Sequence, residues 1–414
     1  MKMKTGKEMI LKGITNFVFG LFGLICLLLF LFSVFETSRV NIAEQITYHK
    51  DFPVLHILFL LAVCIAFVYF KRHFCRRVPS CILYAAVCTA MLLWVLATLL
   101  YPKADQMFIM EICPHIAQEN YQDFLPGGYL YNQPHQIFLT YFSTVLYLIF
   151  GERYIFVFQI LNCAAAAGVF YLLQKLYEKY EKTDDCSFFP LICFLFLPFV
   201  FYVTFVYGTI IGLFCALAAL IEFCLYLENS RVFHMVLCTF FILLAQLLKS
   251  NYLIFLVAFL AVLVFDFLKR FKLGHLVFMC LLTGSLLLCN YGITAFTENL
   301  TGIHSEGGIP KELFIAMGLK DSNSAPGWWS GYHNTVFVHQ EFDVEASKKI
   351  GMRKIKKQLN KMKKDPLYGV DFFCISFCRS GVSQPTRVSG FSSSATASGI
   401  CRCLQIGWFT TAEG

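Results

Sequence analysis

ITNFVFGLFGLICLLLFLFSVF, residues 14–35, carries no charged side chain and is longer than the roughly 20 residues a helix needs to cross the hydrocarbon core of a bilayer. Lys2, Lys4, Lys7 and Lys12 precede it and no small-residue cleavage site follows, so it reads as a retained first helix with a cytoplasmic N-terminus. A second run, about Val54–Phe70, ends at Lys71, Arg72, Arg76 and Arg77, a strong inside marker. The third, about Ser80–Leu100, must then emerge on the outer face.

Further apolar runs lie near Ile137–Phe150, Tyr154–Leu173, Phe188–Val206, Gly208–Leu227, Phe233–Leu248, Tyr252–Leu268 and Leu276–Phe296. Lys269, Arg270 and Lys272 mark a cytoplasmic turn, which puts both Lys249 and the segment from Thr297 onward outside. Five runs separate Gln136 from Lys249, yet a chain that starts and finishes on one face crosses an even number of times. The short Ile137–Phe150 run and the stretch holding Pro190, Pro198, Gly208 and Gly212 are the places where a helix is expected to break or re-enter.

Composition agrees with lipid as the solvent. Hydrophobic residues make up 58% of the chain, charged residues 14%, and the mean hydropathy is +0.64. The periodicity lacks the alternation of a membrane barrel, so the expected fold is all-α: a polytopic helical membrane protein of nine to eleven spans with two extracytoplasmic polar segments. The net charge of +8 follows membrane topology rather than nucleic-acid binding, because the basic residues gather at the ends of apolar runs and in one late segment. The 18 cysteines are scattered mostly through apolar runs as small hydrophobes; metal-like spacing occurs only at Cys374/Cys378 and Cys401/Cys403, with no accompanying histidine pattern. No internal repeat stands out.

Three regions follow: a polytopic membrane domain over 1–296, an extracytoplasmic segment over 297–373, and an atypical tail over 374–414. In the first, residues 101–136 (YPKADQMFIMEICPHIAQENYQDFLPGGYLYNQPHQ) form the long polar island of the N-terminal half. Ala104–Gln118 has the pattern of a helix lying along the membrane surface, with Met107, Met110 and Phe108 in the interface and Asp105 at its start. A carboxylate there suits a general base, and equally a plain N-cap. Pro126-Gly127-Gly128-Tyr129 turns the chain tightly, and Pro134-His135-Gln136 sets two polar side chains at the mouth of the next helix. Tyr121, Tyr129 and Tyr131 also fit an interfacial aromatic belt.

In order, these motifs resemble the GT-C superfamily of integral membrane glycosyltransferases, in particular its bacterial branch related to the protein mannosyltransferases, over roughly Met1–Phe373. The resemblance rests on Asp105 in the first large outer loop, on Gly127-Gly128-Tyr129-Leu130 followed by Pro134-His135-Gln136, and on Leu248-Lys249-Ser250-Asn251-Tyr252, where Ser250 stands at a position more often Pro. It extends to Ala316-Met317-Gly318-Leu319, Ala325-Pro326-Gly327-Trp328 and Gly331-Tyr332-His333-Asn334.

The resemblance implies transfer of a sugar from a polyprenyl-phosphate donor to a hydroxyl of a cell-surface glycan, lipid or protein on the extracytoplasmic face of the cell membrane, with inversion. It makes Asp105 the candidate base. Lys249 or Lys103 would meet the charge on the departing phosphate, each being also a candidate snorkelling lysine. Gln106, Tyr129, His135, Gln136 and Asn251 would orient donor or acceptor hydroxyls, and Trp328 and Tyr332 offer faces for sugar rings, or else are interfacial aromatics. A divalent cation held by Asp105 with Glu111 or Asp123 is compatible with the residues, though their spacing does not require it.

Glu345–Lys364 is an amphipathic helix candidate, with Met352, Ile355, Leu359 and Met362 on one stripe and nine Lys/Arg between Lys348 and Lys364; it is expected on a membrane surface with anionic lipids. A transporter or flippase of lipid-linked saccharides is the alternative reading; it would favour ionisable residues within spans, which are few here, with Glu222 and Asp266 near helix ends, and a structural scaffold is a third.

From Cys374 the chain turns Ser-, Gly- and Cys-rich and loses helical periodicity. Val382–Gly390 (VSQPTRVSG), back-translated with permitted codons and read two bases later, yields Glu-Pro-Thr-Tyr-Gln-Gly-Phe, the peptide expected at this point of a bacterial relative. A low-complexity linker is one account of this tail and a reading-frame slip another; a slip would remove C-terminal helices and leave the chain inactive or unstable. Sequencing the gene should therefore show further apolar runs in the shifted frame; an early stop there would dismiss the slip.

Overall fold

The computed structural model describes residues 2–40, 46–75, 78–181, 189–304, 307–321, 326–373 and 376. The two cysteine pairs of the tail, Arg76, Arg77, Ala325 and the suspected frame slip lie outside them. Two compact units interleave along the sequence: one combines the described residues of 1–67, 311–333 and 348–373, the other those of 68–310 and 334–347. The chain is overwhelmingly helical, and among the described residues seven helical segments are long and apolar enough to cross a membrane.

The first unit opens with α1 (Lys2–Phe35), a hairpin of β1 (Glu36–Val40) and β2 (Ile46–Lys50), and the start of α2 (Pro53–Phe70). The strands pair antiparallel from Glu36 opposite Lys50 to Val40 opposite Ile46. This hairpin is absent from the sequence expectation, in which the polar stretch between two apolar runs reads only as a connection. The apolar side chains of both helices face outward, Phe19 being 72% and Phe59 71% exposed. A face so large and apolar belongs in hydrocarbon rather than water.

The second unit is a helical bundle. It comprises α3 (Ser80–Thr98), α4 (Asp105–Ala117), a short α5 (Tyr129–Asn132), α6 (Ile137–Phe150), α7 (Tyr154–Glu181), the broken pair α8 (Phe189–Leu195) and α9 (Leu197–Phe201), α10 (Thr209–Asn229), α11 (Val232–Leu248), α12 (Leu253–Arg270) and α13 (Leu273–Thr301). α3 and α7 run antiparallel. Tyr84, in the first turns of α3, donates to Gln174 Oε1 near the end of α7 at 2.5 Å, while Gln159, near the start of α7, donates to the carbonyl of Leu100 at 3.0 Å. α8 and α9 return alongside α7, with the Phe170 and Phe199 rings 5.3 Å apart. Their break at Phe196 precedes Pro198, whose ring cannot continue the helix before it.

Gly168 lets α10 close on α7, since a Cβ there would sit 2.6 Å from the Phe214 ring. Phe223 of α10 stacks on Phe259 of α12 at 4.4 Å and meets Phe278 of α13 at 6.0 Å. At that end of the bundle, buried His275 contacts Asp266 at 2.9 Å and the Tyr226 hydroxyl at 3.3 Å, and Arg270 holds the second Asp266 oxygen at 3.1 Å. His234 and Glu222 pair at 2.6 Å beside it.

The apolar stretch Pro134–Glu181 is not one rod. Gly151, at φ +57, ends α6, and the Phe142 and Phe158 rings meet at 5.8 Å although one continuous helix would part them by about 24 Å. α6 folds back on α7 and lies along α4: Cys113 of α4 reaches the Thr140 carbonyl, and Tyr154, just beyond the turn, donates to the Met110 carbonyl at 2.7 Å.

α14 (Lys311–Gly318) belongs to the first unit, whereas α15 (Tyr332–His339) and α16 (Val344–Lys364) each pass from one set of residues to the other. α16 starts at Asp343, whose side chain caps it by accepting the Ala346 N–H at 2.9 Å. Replacing His275 with Leu strips Asp266 and Tyr226 of a buried partner, and should lower the free energy of unfolding in detergent by about 1 kcal/mol or more. An unchanged midpoint in an SDS titration would show that the cluster does not tie α10, α12 and α13.

Candidate functional site

At the other end of the bundle, three separated stretches converge on one phenol. Tyr207 follows the short turn at 202–204 and is 8% exposed. Its hydroxyl donates to Asp105 Oδ2 at 3.3 Å and accepts from Gln136 Nε2 at 2.7 Å. It also hydrogen-bonds the Tyr129 hydroxyl. A phenol has one proton and two lone pairs, so giving the proton to the carboxylate leaves a lone pair each for Gln136 and Tyr129. The other face of the interaction is cationic: Lys249 Nζ stands 3.7 Å from the centre of the Tyr207 ring.

Local sequence explains each placement. Asp105 is the first residue of α4, where unpaired N–H groups and the helix dipole favour a carboxylate. It is not the N-cap. Ala104 holds that position with no side-chain cap and with φ +54, ψ −136, a conformation that L side chains rarely adopt. Such strain costs on the order of 1–3 kcal/mol and persists only where the surroundings enforce it. Here Gln106 does so: its Oε1 accepts the Val206 N–H at 2.9 Å and its amide reaches the Lys103 carbonyl at 3.5 Å, clamping the start of α4 to the residue before Tyr207.

Lys249 arrives through a break in the helix. It is extended between α11 and the short turn at 250–252, and Tyr252 donates to the Thr209 carbonyl at 2.5 Å. Gly208, at φ +68, permits this approach, because a Cβ there would lie 2.5 Å from the Leu248 carbonyl oxygen. Gly128 packs equally close to the Asp123 backbone and aims Tyr129, whose ring stacks on Phe108 at 5.4 Å. His135 is exposed beside the cluster and its Nε2 accepts from Gln136 at 3.1 Å, which puts the ring proton on Nδ1.

Asp105, Tyr129, His135, Gln136 and Lys249 thus meet around Tyr207. Gln106 is buried and its amide is engaged with backbone rather than open to a ligand. Lys103 is half-buried and contributes its carbonyl to that clamp; Asn251 is exposed in the turn after Lys249. Trp328 and Tyr332 are half-buried in the other unit, where Lys320 Nζ lies 5.4 Å from the Tyr332 ring.

Two expectations change. α4 is not a helix floating in the interface, since Ile109, Met110, Ile112, Cys113 and Ile116 are buried and only Phe108 is open as anticipated. Tyr131 does not join an aromatic belt either: it is 7% exposed, against Phe337 and Phe342. As for a cation, Asp123 pairs with His115 at 3.0 Å, and Glu111 lies six residues beyond Asp105 on another face of α4. Among the described residues no three His, Cys, Asp or Glu side chains gather as a metal site.

Sequence reasoning passed over Tyr207 and its two supports. Gln159 and Asn162, buried on α7, donate to the carbonyls of Leu100 and Thr204 (3.0 and 3.3 Å) and of Val203 and Phe205 (both 3.0 Å). A Gln and an Asn one turn apart inside an apolar run were the available signal.

Burial, reinforced by the neighbouring Tyr129 and Asp105, holds the Tyr207 phenol well above the ordinary range; burial and then Asp105 do the same for Tyr129. Both remain protonated donors at any physiological pH. No known protein family, curated protein or solved structure matches this chain.

Removing only the hydroxyl, Tyr207→Phe, leaves Gln136 and Asp105 short of a partner and should cost about 1–3 kcal/mol of stability. Tyr207→Leu also removes the face beneath Lys249 and should cost more. Equal, negligible shifts in unfolding midpoint for both variants would show that the network holds nothing in place.

Proposed function

We propose that the chain is a membrane glycosyltransferase of the GT-C kind, moving a sugar from a polyprenyl-phosphate donor to a hydroxyl of a surface glycan, lipid or protein. The observation that carries this reading is the convergence of Asp105, His135-Gln136 and Lys249, the three stretches on which the resemblance rests, about Tyr207.

The helix directions support the topology this requires. In the proposed topology α6 does not cross, and the crossings between Gln136 and Lys249 are α7, the α8–α9 pair, α10 and α11, an even number. With α1, α2, α3, α12 and α13 as the other crossings, the proposal has nine spans, and a cytoplasmic N-terminus would then set Asp105 and Lys249 on the extracytoplasmic side.

In the proposed reaction the acceptor hydroxyl gives its proton to the Asp105 carboxylate as its oxygen forms a bond to the anomeric carbon. The bond from that carbon to the phosphate oxygen breaks, and the electron pair leaves with the lipid phosphate. Attack from the opposite face inverts the centre. Tyr207 aims the carboxylate, and the Lys249 ammonium, held close to the same ring, meets the charge that grows on the leaving group.

The competing transporter reading draws on the Glu222–His234 and Asp266–His275 pairs, ionisable groups within the bundle. One assay separates the two. Membranes carrying the protein and a labelled polyprenyl-phosphate sugar should form glycosylated product, and Asp105→Asn should cut turnover by about 10²-fold or more. Equal turnover would remove Asp105 as the base. Movement of the labelled lipid between leaflets without product, lost on Glu222→Gln, would instead establish a transporter.

A further inference from the structure

The basic helix α16 presents two different faces. Toward its own unit it packs through Gly351, where a Cβ would lie 2.9 Å from the Glu312 carbonyl carbon, and through Met362, which is 8% exposed. Gln358 on the same side donates to the Tyr368 hydroxyl at 2.7 Å, and Lys361 bonds Asp321 at 3.2 Å. The stripe expected from sequence is therefore split: Met362 faces protein and Ile355 is half-buried, whereas Met352 and Leu359 are exposed at 41% and 49%.

Helical geometry shows what surrounds the exposed pair. At about 100° per residue, Met352 and Leu359 fall on one line parallel to the axis, and Lys349, Lys356 and Lys363 on a second line within about 60° of it. Arg353 lies on the far flank of the lysine row. All six side chains are exposed. The open face thus combines an apolar ridge with these four cations, exposed Lys348 at the other edge of the ridge and, in its first turn, the single acid Glu345.

We propose that this face of α16 docks on the headgroup layer of an anionic bilayer, with Met352 and Leu359 entering the acyl boundary and Lys349, Arg353, Lys356 and Lys363 meeting lipid phosphates. Charge complementarity selects this occupant. Four cations on one face are drawn to a negative surface, while the apolar ridge between them and the packed side gains only by leaving water, which a lipid surface offers and a soluble polyanion does not. The helix lies along the surface, because its charged residues occur over its whole length and it cannot cross.

The test uses the full chain in nanodiscs, with an environment-sensitive fluorescent amino acid placed at 352, 359 or, on the side of the helix turned away from the ridge, 361. Bromine-bearing lipids should quench positions 352 and 359 but not 361 when phosphatidylglycerol is present, and quench neither in pure phosphatidylcholine. Changing Lys349, Lys356 and Lys363 together to Gln should reduce the docked fraction about tenfold or more, and the same three changed to Arg should restore it. Quenching no greater at 352 and 359 than at 361, equal quenching in both lipids, or displacement of the helix by an RNA oligomer at physiological salt would each overturn the proposal.

Discussion

Two amide side chains hold the irregular part of the bundle together. Inside an apolar assembly a carbonyl released from a helix has no water to turn to, and each one left unpaired costs several kcal/mol. The chain leaves helical geometry twice at one end, after α3 at Leu100 and after α9 at 202–207, and Gln159 and Asn162 satisfy four of the carbonyls set free there. Because both amides project from a single turn of α7, they fix the two breaks relative to one another. Tyr207 stands at the end of the second break and Asp105 a few residues after the first, so their hydrogen bond inherits its geometry from α7.

The same logic extends to the cation. An ammonium within reach of a buried phenol must be supplied by a segment that can come close without blocking the carboxylate. Gly208 provides that closeness, since any side chain would strike the Leu248 carbonyl, and the helix that would have carried Lys249 away is broken at that residue. Carboxylate and ammonium then address different parts of one residue, the hydroxyl and the ring face. One side chain thus gathers both signs of charge about itself.

Much of this was legible in the residues, and the remainder was hidden for physical reasons. The helix foreseen over Ala104–Gln118 runs Asp105–Ala117, because apolar spacing is a local property. The break at Lys249 was equally readable from Lys-Ser-Asn between two apolar runs, and the short run at Ile137–Phe150 was one of two places where a helix was expected to fail. Burial in a membrane bundle was not readable. A tyrosine such as Tyr131 or Tyr207 suits an aromatic belt as well as a core, and only the partner helix decides; periodicity says which face is apolar, not whether it meets lipid or protein. The hairpin of β1 and β2 escaped for a related reason, because strand pairing joins residues that no helical pattern links.

The two ends of the bundle invite comparison, since both collect polar groups. Around His275 the inventory closes: the imidazole spends both nitrogens on Asp266 and Tyr226, and Arg270 takes the other carboxylate oxygen. Closed networks of this kind fasten helices and leave nothing directed at a ligand. Around Tyr207 the inventory is deliberately open at its edge. Asp105 and His135 are exposed while Gln136 and Tyr207 behind them are buried. The backbone differs as well: Ala104, immediately before the exposed carboxylate, holds φ +54, ψ −136, whereas Phe271, beside Arg270, takes the left-handed conformation common at helix ends, φ +51, ψ +37. Of the two polar ends, the one built around Tyr207 is the one on which the proposed function draws.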